Sequence, residues 1–367
     1  MSTPQIISVP VDRASAQIEE ILKAWGMEEQ IIRDTVNVMI ETDLSGVDSH
    51  GISQLHMYSL LKAANKLNTS ARPRVVSDFG AVARVDGDAG LGHPCGVYCM
   101  RLAIQKAREF GIGIVSACNS HHFGAAGYYA RMASDEKMLG MVTSSTRYVA
   151  VVPPRGTEPV LGTNPIAISA PGNANPPVTL DIATSVTAIG KVRVHSLQEK
   201  PLPNGWVVDK AGKAVQDASE GYRIITEDDE GGLCTLGGSD EVLGGHKGYG
   251  LSMFAHILAS TLSGGSFSPV RNRTQRDDEP DNIGHFFFAI DISRIRPSAE
   301  FGADLDDMID VLRNNKPVEP SRPVLIPGDP ERSTRAQRLS DGIPMHRNLR
   351  ARIREIAEEA NAPYLLE

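Results

Sequence analysis

Four short stretches carry side chains able to move protons or hold anions. Ser49-His50-Gly51 is followed by Gln54 and Tyr58. With a helix starting near Gly51, positions 50, 54 and 58 share one face. An imidazole, an amide and a phenol on one wall, beside the Ser49 hydroxyl, suit a small, oxygen-rich ligand. The plainer reading is that Ser49 caps the helix and His50 is a satisfied histidine. His121-His122-Phe123-Gly124-Ala125-Ala126-Gly127 marks a buried strand passing into a helix. His122 at that helix N-terminus would feel a dipole that disfavours imidazolium, and neutral imidazole can give or take one proton near pH 7. Coincidence in a loop, or simple capping, is the competing account.

Leu161-Gly162-Thr163-Asn164-Pro165 and Leu180-Asp181-Ile182-Ala183-Thr184-Ser185 read as strand ends with polar groups. Asp181 is suited to orient a histidine or accept from a ligand hydroxyl. A turn asparagine before proline and a capping aspartate explain the same residues. Gly244-Gly245-His246-Lys247-Gly248 leads into a long apolar helix. Free helix N-terminal amides, glycines and one lysine make an anion site that would fit a pyrophosphate. The spacing is not that of a nucleoside triphosphatase, and a flexible loop with a solvated lysine is the alternative.

Positioning these groups requires alternating helices and strands. Helical spacing of Ile18, Ile21, Leu22 and Trp25 predicts a helix stopping at Gly26, with further helices over 28–44 and 52–67. Beyond Pro73 the pattern predicts short strands, a helix over 92–110, a strand over 111–120, a helix over 123–137 and a strand over 139–144. Short strands alternate with loops over 145–190. A helix over 248–262, an exposed polar loop over 271–281, a strand over 284–292, a loop containing 326–331 and a last helix over 347–361 complete the chain. No GxGxxG lies between a strand and a helix, so a dinucleotide would not be held by the ordinary Rossmann turn.

The 367 residues carry 37 basic against 45 acidic groups, a net charge of −8, with no basic run. A basic footprint for nucleic acid is lacking. The apolar runs are too short for a membrane span, and the first residues do not read as a secretory leader. The four cysteines (Cys95, Cys99, Cys118, Cys234) form neither a disulfide framework nor a zinc pattern. They are read as reduced thiols of a cytoplasmic protein. No metal is expected. A Ser–His hydrolase built on Ser49 and His50 is disfavoured, because adjacent residues do not readily face each other and no GxSxG appears.

Taken in order, DLSGVDSHG (43–51), SHHFGAAGYYA (120–130), EPVLGTNPIAISAP (158–171), LDIATS (180–185), GGHKGYGL (244–251), GHFFFAID (284–291) and the late IPGDPE and GIP resemble the malate/L-lactate dehydrogenase-like family of NAD(P)-dependent oxidoreductases. This family is distinct from the Rossmann-type lactate and malate dehydrogenases. The resemblance implies a mixed α/β, non-Rossmann fold. A helical domain would come from residues 1–75 and 311–367, and an α/β domain with the cleft from 76–310. It implies a homodimer using NAD or NADP on a small polar 2-hydroxy or 2-oxo acid. His122 matches the proton-transferring histidine, with Ser49 and His50 catalytic beside it. Gln54, Tyr58, Thr163 and His121 fall on the substrate side, and Ser145, Thr146, Asp181, Ile182, Lys247 and Gly248 on the cofactor side. Gln54 departs from the family pattern SHGxxR, whose arginine suits a substrate carboxylate. Arg147 or His121 would then hold the acid, or the substrate is not a simple 2-oxo acid. A cyclic imino acid reductase and a non-catalytic binding protein on the same scaffold are the alternatives.

Overall fold

Apolar spacing at the N-terminus produces β1 (Ile6–Val9), α1 (Val11–Ala24), α2 (Glu29–Leu44) and α3 (Leu55–Ala63) in a computed structural model that describes residues 5–367. Residues 1–4, the start of the segment read as lacking a leader, lie outside the described residues. Ile18, Ile21 and Leu22 bury one face of α1, and Gly26, at φ 78°, ends it in the left-handed conformation that glycine tolerates. The C-terminal α11 (Asp329–Asp341), β11 (Ile343–His346) and α12 (Arg347–Ala360) return to this end. β11 pairs antiparallel with β1, and Ile343, Met345, Ile353 and Ile356 join Ile18, Met39, Leu55 and Tyr58 in one core.

The middle of the chain builds β2 (Arg74–Phe79), β3 (Val82–Gly90), α4 (Gly92–Phe110), β4 (Ile112–Ser120), α5 (Ala126–Asp135), β5 (Met138–Ser144), β6 (Ile166–Ala170) and β7 (Val178–Ile182). With β10 (Ile283–Asp291), these strands form one sheet ordered β2-β3-β4-β10-β5-β6-β7. Only β3 and β4 pair parallel; every other neighbour is antiparallel. A doubly wound Rossmann sheet is thereby excluded, and the mixed α/β class is observed. Met100, Val115, Tyr129, Val142 and Phe287 belong to a second core, under α4 and α5. A third, smaller core gathers Leu161, Val192, Val207, Ile224 and Leu233. It involves α6 (Ile189–Leu197), β8 (Val207–Val208), α7 (Ala218–Glu227) and β9 (Gly232–Leu233). The remaining helices are α8 (Gly245–His256), α9 (Ser268–Thr274) and α10 (Ser298–Arg313). Among the described residues, no helix is long and apolar enough to cross a membrane.

Several sequence expectations shift. The helix expected over 52–67 is a 3₁₀ turn (Ile52–Gln54) followed by α3, which stops because Asn65 takes φ 55°. The long apolar helix begins three residues early, at Gly245, and loosens into a π turn over Ile257–Thr261. The loop over 271–281 is not simply exposed. Its first residues, 271–274, belong to α9; Arg271 there is 8% exposed, and Asp281 is 2% exposed. Their burial is satisfied by Arg271 donating to the carbonyls of Asp281 and Arg147. The polar segment expected as loop after Gly328 enters α11, which buries none of its residues and so leaves no periodic signal.

Close packing of α4 on β4 depends on Gly113, where a Cβ would run into the carbonyl of Ala103. Gly113→Ala is expected to destabilise the protein by about 3 kcal/mol, measured as a shift in the urea unfolding midpoint.

Candidate active site

One edge of the sheet collects the chemistry. β3 and β4 end side by side there, with Gly90 opposite Ser120. β10 begins there, Ile283 facing Ser120 and His285 facing Ser144 at the end of β5. β6 begins and β7 ends at the same edge, Ile166 lying between Thr143 and Ile182. Residues at or just beyond these ends therefore converge: His93, His121, His122, Ser145 to Arg147, Thr163, Asn164, Asp181 and Asp281.

His122 lies at the centre. Its Nδ1 is 2.8 Å from the Tyr58 hydroxyl, which lies 3.3 Å from His93 Nε2. The Gly124 N–H also approaches Nδ1, at 3.4 Å. Nε2 takes no hydrogen bond among the described residues, and His122 is only half-buried. The inward nitrogen is thus anchored and the outer one is free for a ligand. His50 faces His122 with ring centroids 5.1 Å apart. Phe123 stacks on His285 at 4.5 Å, and His285 bridges Ser144 and Ser120 through its two nitrogens.

The His122 imidazole is held well below its ordinary pKa by burial first and then by His50, His93 and His285. The helix dipole is not the cause foreseen from the sequence. α5 starts four residues later, and its Gly127 N–H is capped at 2.7 Å by Asp181 Oδ2. Burial takes His93 down to about 3 and His285 down to about 3. These groups are neutral at pH 7.

The SHG turn does not continue a helix, so the shared face of positions 50, 54 and 58 is absent. Gly51 sits at φ −93°, ψ −136° because Asp43 fills the space where its Cβ would lie. Asp43 Oδ2 accepts from the Ile52 N–H at 2.8 Å, and burial pushes its carboxyl up to about 8. In this turn Ser49 Oγ and His50 Nδ1 do face each other, at 2.7 Å, contrary to the sequence expectation. Gln54 Nε2 donates to the Ser49 carbonyl at 2.6 Å. Tyr58, expected on the ligand wall, is 1% exposed and stands behind His122. His121 is fully buried. Its Nε2 lies 2.9 Å from the Lys66 carbonyl and its Nδ1 3.5 Å from Asp281 Oδ2.

Hydrogen bonds tie most of the residues expected on the cofactor side to their neighbours. Ser145 exchanges hydrogen bonds with Gly284. Thr146 Oγ1 is 3.5 Å from Asn164, whose amide donates to Ser252 on α8. The Thr163 carbonyl accepts from Thr184, and the Thr184 carbonyl accepts from Leu236 beside Gly248. Ile182 pairs with Ile166, and burial pushes Asp181 up to about 6. Lys247 is exposed at the start of α8. The free amides expected there are partly used: Gly245 donates to Asp240 and Lys247 to Gly244. A Cβ on Gly245 or Gly248 would strike the 236–240 backbone, so these glycines admit the chain's own loop. His93, His285 and Asp43 escaped the sequence reading, because no local spacing ties them to His122.

The folded-state pKa of His93 lies below its unfolded value. Its contribution is therefore retained above about pH 6.5 and lost as pH falls towards about 3. Between pH 7 and pH 5 the wild type should lose about 2 kcal/mol more stability than His93→Gln, measured by urea unfolding at both pH values. Equal losses would exclude a buried neutral His93.

Comparison with known proteins identifies the family. Residues 9–354 match the malate/L-lactate dehydrogenase family. The chain is 38% identical over 353 residues to a malate dehydrogenase of Pyrococcus horikoshii, covering 96% of this chain and 95% of that protein. The crystal structure of malate dehydrogenase from Entamoeba histolytica superposes with a TM-score of 0.91 at 31% identity, over 98% of this chain and 99% of that one. A Δ1-piperideine-2-carboxylate reductase from Pseudomonas syringae superposes with a TM-score of 0.80 at 26% identity, over 95% and 99%. The chain belongs to the malate/L-lactate dehydrogenase family, oxidoreductases acting on CH–OH groups.

Proposed function

We propose that this protein moves a hydride between a nicotinamide dinucleotide, NAD or NADP, and a small polar 2-hydroxy acid or its 2-oxo form. The observation that carries the reading is His122, tied at Nδ1 and open at Nε2 on the sheet edge that also gathers Thr146, Thr163 and Asp181. The donor set suits a dinucleotide. Asp181 Oδ1 takes no hydrogen bond among the described residues and is free for a hydroxyl, while Lys247 offers a cation for phosphate.

When bound, the nicotinamide supplies or accepts the hydride. In the oxidising direction His122 takes the substrate hydroxyl proton at Nε2. Its Nδ1–H then donates to Tyr58, whose O–H donates on to His93 Nε2, so the ring keeps its orientation as its charge changes. In the reducing direction protonated His122 returns the proton to the carbonyl oxygen. Ser49 and His50, hydrogen-bonded to each other, stand on the outer side to polarise that oxygen. The depressed pKa of His122 keeps it a base at pH 7.

The likeness to the Pseudomonas syringae reductase favours a second reading, in which the same site serves a cyclic C=N bond. We also place the protein in the cytoplasm, supported by four free, buried thiols. We propose a homodimer joined through α8 and the start of the π turn that follows it, where Leu251, Phe254 and Ile257 recur on one exposed face.

His122→Ala should lower turnover at least a hundredfold while dinucleotide binding persists, measured by steady-state kinetics and cofactor fluorescence. The screen pairs 2-oxo acids and a cyclic ketimine with both reduced cofactors. Ketimine turnover alone would reassign the substrate, and binding without turnover of any substrate would remove the enzymatic reading. Light scattering should give twice the chain mass for the wild type and the chain mass for Phe254→Glu.

A further inference from the structure

The carboxylate of a 2-oxo acid needs a cation, and position 54 cannot supply one. Gln54 is uncharged, and its amide is engaged on the Ser49 carbonyl. Arg147 lies at the same sheet edge, three residues past β5. Its Nε is 3.2 Å from Asp281 Oδ1, its side chain is 41% exposed, and neither terminal nitrogen has a partner among the described residues.

Asp281 makes a firm tether. It is 2% exposed and stands just before β10, the strand between β4 and β5. Its other oxygen faces His121 Nδ1 at 3.5 Å, and its carbonyl accepts from Arg271. Burial works to raise the Asp281 carboxyl, but the nearby His121 ring and the Arg147 charge outweigh it and favour the ionised form. Two guanidiniums stand near this one carboxylate: Arg147 meets Oδ1, while Arg271 donates to the Asp281 backbone carbonyl, to Asn272 and to the Arg147 carbonyl. The cluster therefore carries a surplus positive charge whose open edge is on Arg147. Ends of strands separated by one neighbour are about 10 Å apart. That gap lies between the β4 end, which bears His122, and the β5 end, which bears Arg147.

We propose that Arg147, anchored at Nε by Asp281, grips the substrate carboxylate with its free Nη edge and sets the specificity for acids. The proposal rests on the dehydrogenase reading. Its ligand is a pair of anionic oxygens, and a nucleotide phosphate is the competing source. Anchoring one side of the guanidinium leaves the other aligned before binding, which cuts the ordering cost of a bidentate contact.

The test compares wild type with Arg147→Gln and Arg147→Lys in the full chain. Oxaloacetate and pyruvate serve as substrates with NADH and NADPH, and malonate as a non-reacting probe in calorimetric titration. Arg147→Gln should raise the KM for the turned-over oxo acid roughly tenfold to hundredfold, lower kcat far less, and leave the KM for the dinucleotide unchanged. Malonate affinity should fall by a similar factor, and Arg147→Lys should restore part of both. Asp281→Asn, which removes the carboxylate that holds Nε but leaves Arg147 charged, should raise the same KM to a smaller degree. An unchanged oxo-acid KM, or a loss confined to the dinucleotide KM, overturns the proposal. Malonate affinity reads the subsite without turnover. Equal affinity in wild type and Arg147→Gln overturns it, whereas loss of malonate binding in a protein that reduces no acid supports the subsite and sinks only the dehydrogenase reading.

Discussion

The hydrogen bond between Tyr58 and His122 joins two separately built cores. Tyr58 is fixed in the core made by both chain ends, among Leu55, Met39 and Ile353. His122 follows β4, whose Val115 and Ala117 belong to the core of the sheet. A histidine at a strand end has several rotamers, and a single inward partner selects one of them. The orientation of the central imidazole therefore exists only when the two cores are packed together. A site assembled this way needs no specialised local motif, because its geometry is set by the seam.

Burial has opposite consequences for the acids and bases around that seam. His93 and His285 are kept neutral, so acid works against the fold as they are forced to charge. Asp43 and Asp181, raised to about 8 and about 6, act the other way: ionising them in place opposes the fold as pH rises. Both carboxyls bond backbone N–H groups, of Ile52 and of Gly127, that start a 3₁₀ turn and α5. The polar interior thus spends its carboxyls on helix starts and holds its imidazoles neutral. Asp281 differs, because two guanidiniums and His121 surround it and favour its charge.

Glycine placement shows how tightly the edge is drawn together. Gly92 leaves no room for a Cβ against the carbonyls of His121 and His122, and Gly284 none against Ala259. Gly245 and Gly248 admit the 236–240 backbone. The chain uses these positions to bring its own segments to contact distance. The groups proposed to face a ligand are side chains: His122, Thr146, Asp181, Lys247 and Arg147.

Much of this protein was legible before folding. Helical spacing located α1 and α2, alternation and apolar runs located β4, β5 and β10, and the missing GxGxxG excluded a Rossmann turn. Residue order carried the family, because the matching segments run the length of the chain. The polar α11 was invisible because it buries nothing, and the register of 50, 54 and 58 failed because Asp43 reshapes the turn from nine residues away. Tyr58 behind His122, His93 behind Tyr58 and Asp281 behind Arg147 are separated by 35 to 134 positions in the chain. Sequence determined which elements form and which chemistry is available. Only tertiary structure decided which side chains meet, since strand order and core packing, not spacing along the chain, bring the strand ends to one edge.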